Sequence, residues 1–593
     1  MAALERVEVI KGPQGTLFGK NTMGGAINMV TRKPSGELEG EIGGSFGTED
    51  LLRGKILLDL PAVGEIGEGV GQLSTLAALT YSENESTIDN SLGGNYGARE
   101  QTGAMLRLLL DVTDSFSIDY IYDHSDTDFS TSARQLVSAI PASLGFFLLG
   151  QDNPKRQSSF PSNSFADDNN SEVTGHALTV TWDINEALTL KSITANRESK
   201  VHEIGDTDGS GTNVFQNNTL LGKVEALTQE LQLVGVGDNY QFVAGLYYFD
   251  EEGADRFTST IRGGAFPVSA VDTQNEAIAA FGQATWNVSQ TWSVTGGLRY
   301  TEEERDMTTS AVPGVPVSES FDNLSPMFAI AWAPGEDHNL YLKYSEGWRS
   351  GGFNGRARSA AALIPFDEET VASYELGIKS YFMNRMVRLN AAVFYNEYED
   401  RQTATSQLQP DGSIASVTDN AGESEMTGVE IELTALATPN LELTANYGYL
   451  DTEYTKYLDL DADGNVIDVK DENVFTYSPE HSAHFAAKYT FAGFSWGVPS
   501  VRIDYSWKDE YHTERLLRSA DIATQKSHGL LSARIDVVEI PLGNGSFRAA
   551  LWGKNLTDED VKLFSIDLRS QLGWGVAHWN DHATYGLDLS YAF

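Results

Sequence analysis

Two stretches of the sequence come close to known ligand-binding patterns, and each fails where the chemistry needs a particular residue. Gly15–Asn21 is similar to a phosphate-binding loop, but residue 14 is Gln rather than Gly and residue 21 is Asn rather than Ser or Thr. Asp459, Asp461 and Asp463 imitate the start of a calcium loop, but its twelfth position is Lys470 instead of a bidentate glutamate. The sequence therefore predicts neither a phosphate loop nor a calcium loop.

The histidines and the possible nucleophiles form no recognisable catalytic pattern. His481 and His484 are three apart in a stretch with strand character, so they would face opposite sides of a sheet and make a poor metal pair. His578 and His582 suit loop positions better than ligand positions. The sequence contains neither a nucleophile elbow nor a zinc-protease helix motif. We therefore predict no enzyme activity, no metal and no cofactor.

Glu375 and Glu430 are the two carboxylates whose placement could matter for function. Each lies in a string of alternating polarity, residues 373–379 and residues 428–433, where every second residue is apolar. Successive side chains of a strand point to opposite faces. If the apolar face is outermost, both carboxylates point inward, and they lie two strands apart. The plainer alternative is that they are ordinary solvated carboxylates.

Strands of strict alternation fill most of the chain and would position these residues. Residues 501–508 place Val501, Ile503, Tyr505 and Trp507 on one face and only polar side chains on the other. The C-terminal residues 585–593 alternate in the same way. This pattern is typical of a membrane β-barrel with an apolar outside and a polar inside. A soluble sandwich or propeller also alternates.

Loop asymmetry and aromatic placement favour the barrel over those alternatives. We predict about 22 antiparallel strands between residues 38 and 593. Short turns such as 185–186 and 334–335 alternate with long connections such as 201–222 and 399–426, whereas a propeller would show a blade repeat. Aromatic residues occur near predicted strand ends, as expected at a membrane interface; they are Trp286, Trp292, Trp332, Trp507 and the terminal Phe593.

Composition excludes several classes of protein. The 593 residues include 41 basic and 84 acidic side chains, giving a net charge of −43, which argues against nucleic-acid binding. There is no cysteine, so neither disulfides nor thiolate metal sites are available. No apolar run reaches the ~18 residues of a membrane helix, but barrel strands need only ~10 alternating residues.

The Gly-rich stretch Leu4–Pro34 identifies a family. Its shared residues are Glu5-Arg6-Val7-Glu8-Val9, Gly12-Pro13-Gln14-Gly15-Thr16-Leu17 and Gly24-Gly25-Ala26-Ile27-Asn28. It resembles the C-terminal end of the plug domain of TonB-dependent outer-membrane receptors. Family-like strings recur in the barrel region, at 344–354, 373–379, 428–432 and 554–558. On the residues alone, a Gly-rich soluble hairpin would be the alternative.

The resemblance implies two domains and a contact between them. Residues 1–37 would be the remnant of a plug inside the lumen, and residues 38–593 the barrel. Relatives bind a basic residue of the plug's Gly-Pro motif with lumen carboxylates, so Lys11 would meet Glu375 and Glu430, with Arg6 as a weaker candidate. Lysine cannot make the bidentate fork of arginine, and such a pair would fix register more than it would add stability.

The resemblance also implies location and partners. Met1 leads straight into the plug motif without a secretory signal, so we expect that the sequence is truncated or has a misplaced start. The implied partners are the TonB-ExbB-ExbD system through the missing N-terminal part, outer-membrane lipid and lipopolysaccharide, and an extracellular small molecule. The implied location is the outer membrane of a Gram-negative bacterium.

The favoured function is energised uptake of a ferric siderophore-type complex. The long loops should recognise it, and their candidate residues are Trp348, Arg349, Phe353, Trp574 and Trp579. The acidic balance disfavours a strongly anionic ligand unless basic groups cluster locally. Alternatives are a family receptor for glycan or cobalamin, a passive pore or non-functional barrel, a membrane-anchored enzyme and a soluble β-rich binding protein.

Overall fold

The chain is built almost entirely from β-strands in the computed structural model. The structure describes residues 3–86, 88–140, 152–212, 214–261, 264–355, 357, 359–408, 414–461, 463–570 and 573–593. Within these residues, 22 strands form one closed antiparallel barrel, which confirms the predicted fold. A short hairpin precedes the wall, and its two strands, β1 (Leu4–Lys11) and β2 (Gly25–Thr31), pair with each other.

The wall strands follow one another around the barrel in chain order. They are β3 (Glu39–Gly47), β4 (Leu52–Val63), β5 (Gln72–Asn84), β6 (Arg99–Thr113), β7 (Phe116–Phe129), β8 (Asn169–Asn185), β9 (Leu188–Asp206), β10 (Phe215–Val236), β11 (Tyr240–Ile261), β12 (Gly264–Asn287), β13 (Trp292–Thr309), β14 (Val317–Gly335), β15 (His338–Arg349), β16 (Glu369–Phe382), β17 (Val387–Leu408), β18 (Ile414–Thr438), β19 (Leu441–Leu460), β20 (His481–Thr490), β21 (Val498–Lys508), β22 (His528–Leu542), β23 (Gly545–Lys554) and β24 (Thr584–Ala592).

The barrel closes because its first wall strand pairs with its last. β3 lies between β4 and β24, with Gly47 opposite Gly586 and Glu41 opposite Ala592. Gly40 and Phe593 exchange two main-chain hydrogen bonds of 2.9 and 3.0 Å. Closure leaves no open sheet edge along this join, as a membrane barrel requires.

The two faces of the wall differ in chemistry. Outward positions carry exposed apolar side chains, among them Ile56, Leu246, Ile278, Leu342 and Leu376. Inward positions carry charge pairs such as Arg502–Asp504 at 2.7 Å. Trp286, Trp292 and Trp332 are exposed near the ends of their strands, and the last two stack with centroids 5.9 Å apart. The alternation of the sequence therefore produces an apolar outside and a polar lumen.

The two ends of the barrel also differ. At the short-turn end the chain reverses within a few residues, as at 114–115 and 336–337, whereas the long-loop end carries connections such as 130–168, 350–368 and 555–583. Two predicted loops, 201–222 and 399–426, are largely strand, because the β9–β10 and β17–β18 hairpins continue pairing at the long-loop end. Their polar side chains gave no apolar alternation, although the backbone bonds still form.

Short strands and helical turns lie at the long-loop end and in the connection of the hairpin. Small strands occur at Asp89–Asn90, Gln135–Ala139, Ser159–Phe160, Val466–Asp468, Tyr511–His512, Thr524–Gln525, Lys562–Leu568 and Trp574–Trp579. Helical turns occur at Gly15–Phe18 (α1), Ala360–Leu363, Lys470–Glu472, Leu517–Ser519 and Ala520–Ala523. Among the described residues, no helix has the length and apolar character to span a bilayer.

Candidate functional site

The candidate site is the contact between the N-terminal segment, residues 3–37, and the inward face of the wall. In the hairpin Val7 lies opposite Met29 and Val9 opposite Ile27, and α1 occupies the connection between the strands. Three contacts between the segment and the wall involve a charged basic side chain. In two of them a lysine of the segment donates to wall carboxylates, and in the third a wall arginine donates to main-chain carbonyl oxygens of the segment.

The first contact joins Lys11 to β18. Its Nζ donates to Glu430 Oε2 at 2.7 Å and to Glu432 Oε1 at 2.9 Å. All three side chains are more than one third exposed. Burial lowers the pKa of Lys11, but the hydrogen bonds and charges of the two carboxylates outweigh it, so the pKa is raised. Glu432 was not predicted, although it shares a strand face with Glu430 and alternation could have found it.

Two predicted members of this contact lie elsewhere. Among the described residues no ion pair joins Lys11 to Glu375, whose Oε1 accepts a 2.5 Å hydrogen bond from the Tyr341 hydroxyl. Glu375 still borders the segment, because a Cβ added at Gly12 would lie 3.8 Å from its Oε2. Arg6 pairs with Glu8 at 2.6 Å and Glu5 at 3.0 Å on its own strand. These two ion pairs of Arg6 therefore lie within its own strand.

The second contact, which the sequence did not suggest, joins Lys20 to β13. Lys20 Nζ donates to Glu303 Oε1 at 2.7 Å, and the same oxygen accepts from Arg305 Nε at 2.8 Å. The Glu303 side chain is fully buried, and the Lys20 side chain is 20% exposed. Lys20 also lies 4.4 Å from the ring centroid of Phe249. Burial lowers the pKa of Lys20 in spite of this carboxylate.

The third contact fixes the exit of the segment toward the barrel. Arg107 on β6 is almost fully buried and pairs with Asp119 on β7 at 2.6 Å. Its Nη1 donates to the carbonyl oxygens of Thr31 and Arg32 at 2.8 and 3.1 Å and to the Thr31 hydroxyl at 3.0 Å. Arg32 itself pairs with Glu39. A buried guanidinium with this many acceptors is a strong anchor.

The glycines of the predicted plug motif have different reasons to be glycine. Gly12 and Gly25 have φ of 70° and 138°, which other residues rarely adopt. A Cβ at Gly15 would lie 2.7 Å from the carbonyl oxygen of Glu346, whereas one at Gly24 would meet nothing within 4 Å. Pro13 packs beside Gly347. In the same motif, the Asn28 amide donates to Glu8 at 2.9 Å within the hairpin.

A cavity of about 830 Å³ lies beside the first contact. It is bounded by the segment and by β14 to β18, and its charged lining includes Lys11, Lys343, Glu375 and Glu430. Among the described residues, no group of three or more acidic or histidine side chains is arranged to hold a metal ion. The arrangement suits the holding of a peptide segment by charge pairs.

Comparison with known proteins assigns the family. The sequence model of the family described as "TonB dependent receptor-like, beta-barrel" matches residues 79–556. The chain belongs to this family. The family model and the matched relatives are named as receptors, and none of those named below is an enzyme by name.

Individual relatives are distant in sequence and near in fold. The barrel is 24% identical over 469 residues to the pesticin receptor of Yersinia enterocolitica, covering 76% of this chain and 64% of that protein. It is 23% identical over 535 residues to the metal-pseudopaline receptor CntO of Pseudomonas aeruginosa, covering 83% and 68%. The solved ferric yersiniabactin uptake receptor FyuA from Yersinia pestis matches with a TM-score of 0.80 at 19% identity, over 100% of this chain and 86% of that one.

The predicted recognition residues of this TonB-dependent receptor barrel divide into two groups. Trp348, Trp574 and Trp579 are buried, the last two in the cores of the packed long loops. In this structure they stabilise loops and wall and present no ring to solvent. Arg349 is 44% exposed and pairs with Glu369 at 2.5 Å, while Phe353 packs in part against a cluster that includes Leu363. These loop aromatics are buried because long loops pack against their own apolar side chains.

Proposed function

We propose that this chain forms the barrel of an energised receptor that takes up a ferric siderophore-type complex across the outer membrane of a Gram-negative bacterium. The observation that carries this proposal is the N-terminal segment fixed to the lumen wall by Lys20–Glu303, in a chain of the TonB-dependent receptor family. Relatives named for pesticin, metal-pseudopaline and ferric yersiniabactin support the ligand class. The chain spans 64% of the pesticin receptor, so the activity is proposed from the family.

In the proposed mechanism residues 1–37, to which the segment belongs, are part of a plug, and residues 38–593 form the barrel. Ion pairs at the wall hold the segment in register, yet they can be exchanged for water as it moves. The TonB-ExbB-ExbD system would supply the energy for that movement. Lipid and lipopolysaccharide would contact the apolar outward face, and the small-molecule ligand would enter from the long-loop end.

Basic residues at the mouth support an anionic, aromatic chelate in spite of the net negative charge. Arg401 lies 4.4 Å from the ring centroid of Phe475 and 5.2 Å from that of Tyr454. Arg515 lies 5.3 Å from the Tyr457 ring centroid. Guanidinium groups stacked on aromatic rings bind carboxylate and phenolate groups well. Arg401 also lies 3.9 Å from Glu369 Oε1, so these arginines support an anionic ligand through the positive charge that remains beside this carboxylate.

Uptake in cells tests the proposal. A Gram-negative host that lacks its own receptor for a chosen ferric chelate would express the gene, and accumulation of radiolabelled iron would be followed with and without a protonophore. The proposal predicts accumulation that the protonophore abolishes. Accumulation of glycan or cobalamin instead of iron would favour the other receptor classes.

A passive pore is the second candidate, because residues 3–37 are few beside the lumen expected of a 22-stranded barrel. Such a barrel is on the order of 40 Å across. Conductance of the purified chain in a planar bilayer separates the two. A large current that is always open would support the pore, and a closed barrel would support the receptor.

A further inference from the structure

The barrel wall has a gap in its strand pairing between β14 and β15. β14 pairs with β13 from Val317 onward, but its register with β15 begins only at Met327 opposite Ser345. In the register of the described residues, 317–326 of β14 and 346–349 of β15 therefore have a wall partner on one side only. Strand edges of this kind carry polar main-chain groups that another element must satisfy.

The turn formed by residues 15–22 of the N-terminal segment lies across this gap. The Thr16 hydroxyl donates to the carbonyl oxygen of Ser325 on β14 at 3.0 Å. The Asn21 N–H donates to the carbonyl oxygen of Trp348 on β15 at 2.8 Å. Lys20 adds its ion pair with β13. One short element thus joins three strands on both sides of the gap.

The fit of this turn leaves no room for a further methyl group. A Cβ at Gly15 would lie 2.7 Å from the Glu346 carbonyl oxygen and 2.8 Å from Ser325 Oγ. From the other side, a Cβ at Gly347 would lie 3.1 Å from the Pro13 Cβ and from the Met23 Cα. Main chain packs directly on main chain here, so displacement of either partner disturbs the other.

The outer end of the gap leads into the long loop 350–368. Ser350 at its base is 2% exposed, and a Cβ at Gly351 would lie 2.2 Å from the ring of Phe321 on β14. Arg305, which shares Glu303 with Lys20, lies 3.4 Å from the position of a Cβ at Gly352. The base of this loop and the N-terminal turn therefore rest on the same two strands, β13 and β14.

We propose that residues 15–22 hold together the two strand edges of this gap, 317–326 and 346–349, which we call the seam. Displacement of the turn would then loosen the base of loop 350–368. Thr16, Lys20 and Asn21 are positioning residues in this device. The consequence for uptake rests on the proposed function: remodelling of the segment would reach the outer mouth through the seam. The coupling itself needs neither ligand nor energy source.

The lack of native cysteine allows a direct test with single thiols in the purified chain in detergent. Ser350→Cys places a thiol at the seam, and Ser164→Cys places one at a similarly buried site, 3% exposed, in another loop. Each is combined with Gly15→Ala, which the seam cannot accommodate, or with Gly24→Ala, which meets nothing within 4 Å. The rate of labelling by a maleimide is measured for all four proteins.

The proposal predicts that Gly15→Ala speeds labelling at position 350 about tenfold over Gly24→Ala and leaves position 164 unchanged. If Gly15→Ala does not fold, Thr16→Val removes the bond to Ser325 with little change of shape, and about a fivefold increase is expected. Equal labelling at position 350 in the Gly15→Ala and Gly24→Ala proteins, or equal acceleration at positions 350 and 164, overturns the proposal. Because the labelling experiment measures no transport, its result does not depend on the outcome of the uptake experiment.

Discussion

Lys11 and Lys20 lie nine residues apart in one segment, and both bind wall carboxylates, yet their surroundings differ. The Lys11 side chain is half exposed and shares two exposed glutamates, whereas Lys20 reaches a glutamate with no exposed surface. The pKa of Lys11 is raised by its carboxylates, while burial lowers the pKa of Lys20. Exposed pairs contribute little, but an unpaired buried charge is costly. Loss of the buried Glu303 carboxylate should therefore release the segment more readily than loss of the Lys11 contact.

The largest effect is expected from Glu303→Gln. It removes the counter-charge of both Lys20 and Arg305 at a fully buried site, so segment release should become easier by ~3–5 kcal/mol. The measurement is the urea concentration at which residues 15–22 become cleavable by protease. Adding Lys20→Met should restore part of the loss, since the buried ammonium is then gone. If Glu303→Gln alone were as resistant to protease as the wild type, Glu303 would not hold the segment in place.

Arg107→Met should give the next largest effect. It leaves Asp119 and the acceptors of Thr31 and Arg32 without their donor, at a cost of ~2–4 kcal/mol. The same urea and protease assay applies, with cleavage followed near residue 34. Arg53→Met is the control, because the exposed Arg53 donates a single 3.3 Å bond to Ser82. Equal effects of the two variants would contradict the anchor.

Lys11→Met should have a small effect on segment release. Both partners of Lys11 are exposed to solvent, so the expected loss is ~1 kcal/mol or less and should vanish in about 1 M salt. The readout is the urea midpoint of protease cleavage at low and high salt. A loss as large as that of Glu303→Gln would show that exposure does not rank these contacts.

Raising the pH should change the stabilisation contributed by the two lysines in opposite directions. These are the smallest effects expected. Folding raises the pKa of Lys11 above the ordinary 10.5, so its stabilisation is present below that pH and is lost as pH rises through the folded pKa. Folding lowers the pKa of Lys20, so the wild type should gain stability relative to Lys20→Met as pH rises toward 10.5. Urea midpoints of wild type, Lys11→Met and Lys20→Met between about pH 9 and about pH 11 check both signs. The same sign for both would contradict the assignment.

The sequence predicted the wall well because alternation is a local signal. Strands such as Val498–Lys508 show their apolar face in eight consecutive residues, and the same alternation placed Glu430 inward. The β17–β18 hairpin beyond residue 399 was missed because its outer part is polar on both faces. Its pairing depends on backbone hydrogen bonds, which the amino-acid composition does not reveal.

The contacts of the segment were harder to predict because they join distant parts of the chain. Lys20 and Glu303 are 283 residues apart, and only closure of the barrel brings them together. Lys20 looked like part of a failed phosphate loop, so its charge had no assigned partner. Trp574 and Trp579 had the composition of a recognition surface, but the packing of neighbouring loops, which sequence does not specify, buries them.

Zero-length carbodiimide crosslinking in isolated membranes, read by mass spectrometry, tests most directly whether the segment is held at the lumen wall. Lys11 Nζ lies 2.7 Å from Glu430 and 2.9 Å from Glu432, and the wall pair Lys55–Glu41, at 2.9 Å with similar exposure, serves as the internal control. A crosslink from the peptide carrying Lys11 to the peptide carrying Glu430 and Glu432 is expected alongside the control crosslink. The control crosslink alone, or Lys11 joined only to acidic residues outside the lumen, would contradict this placement of the segment.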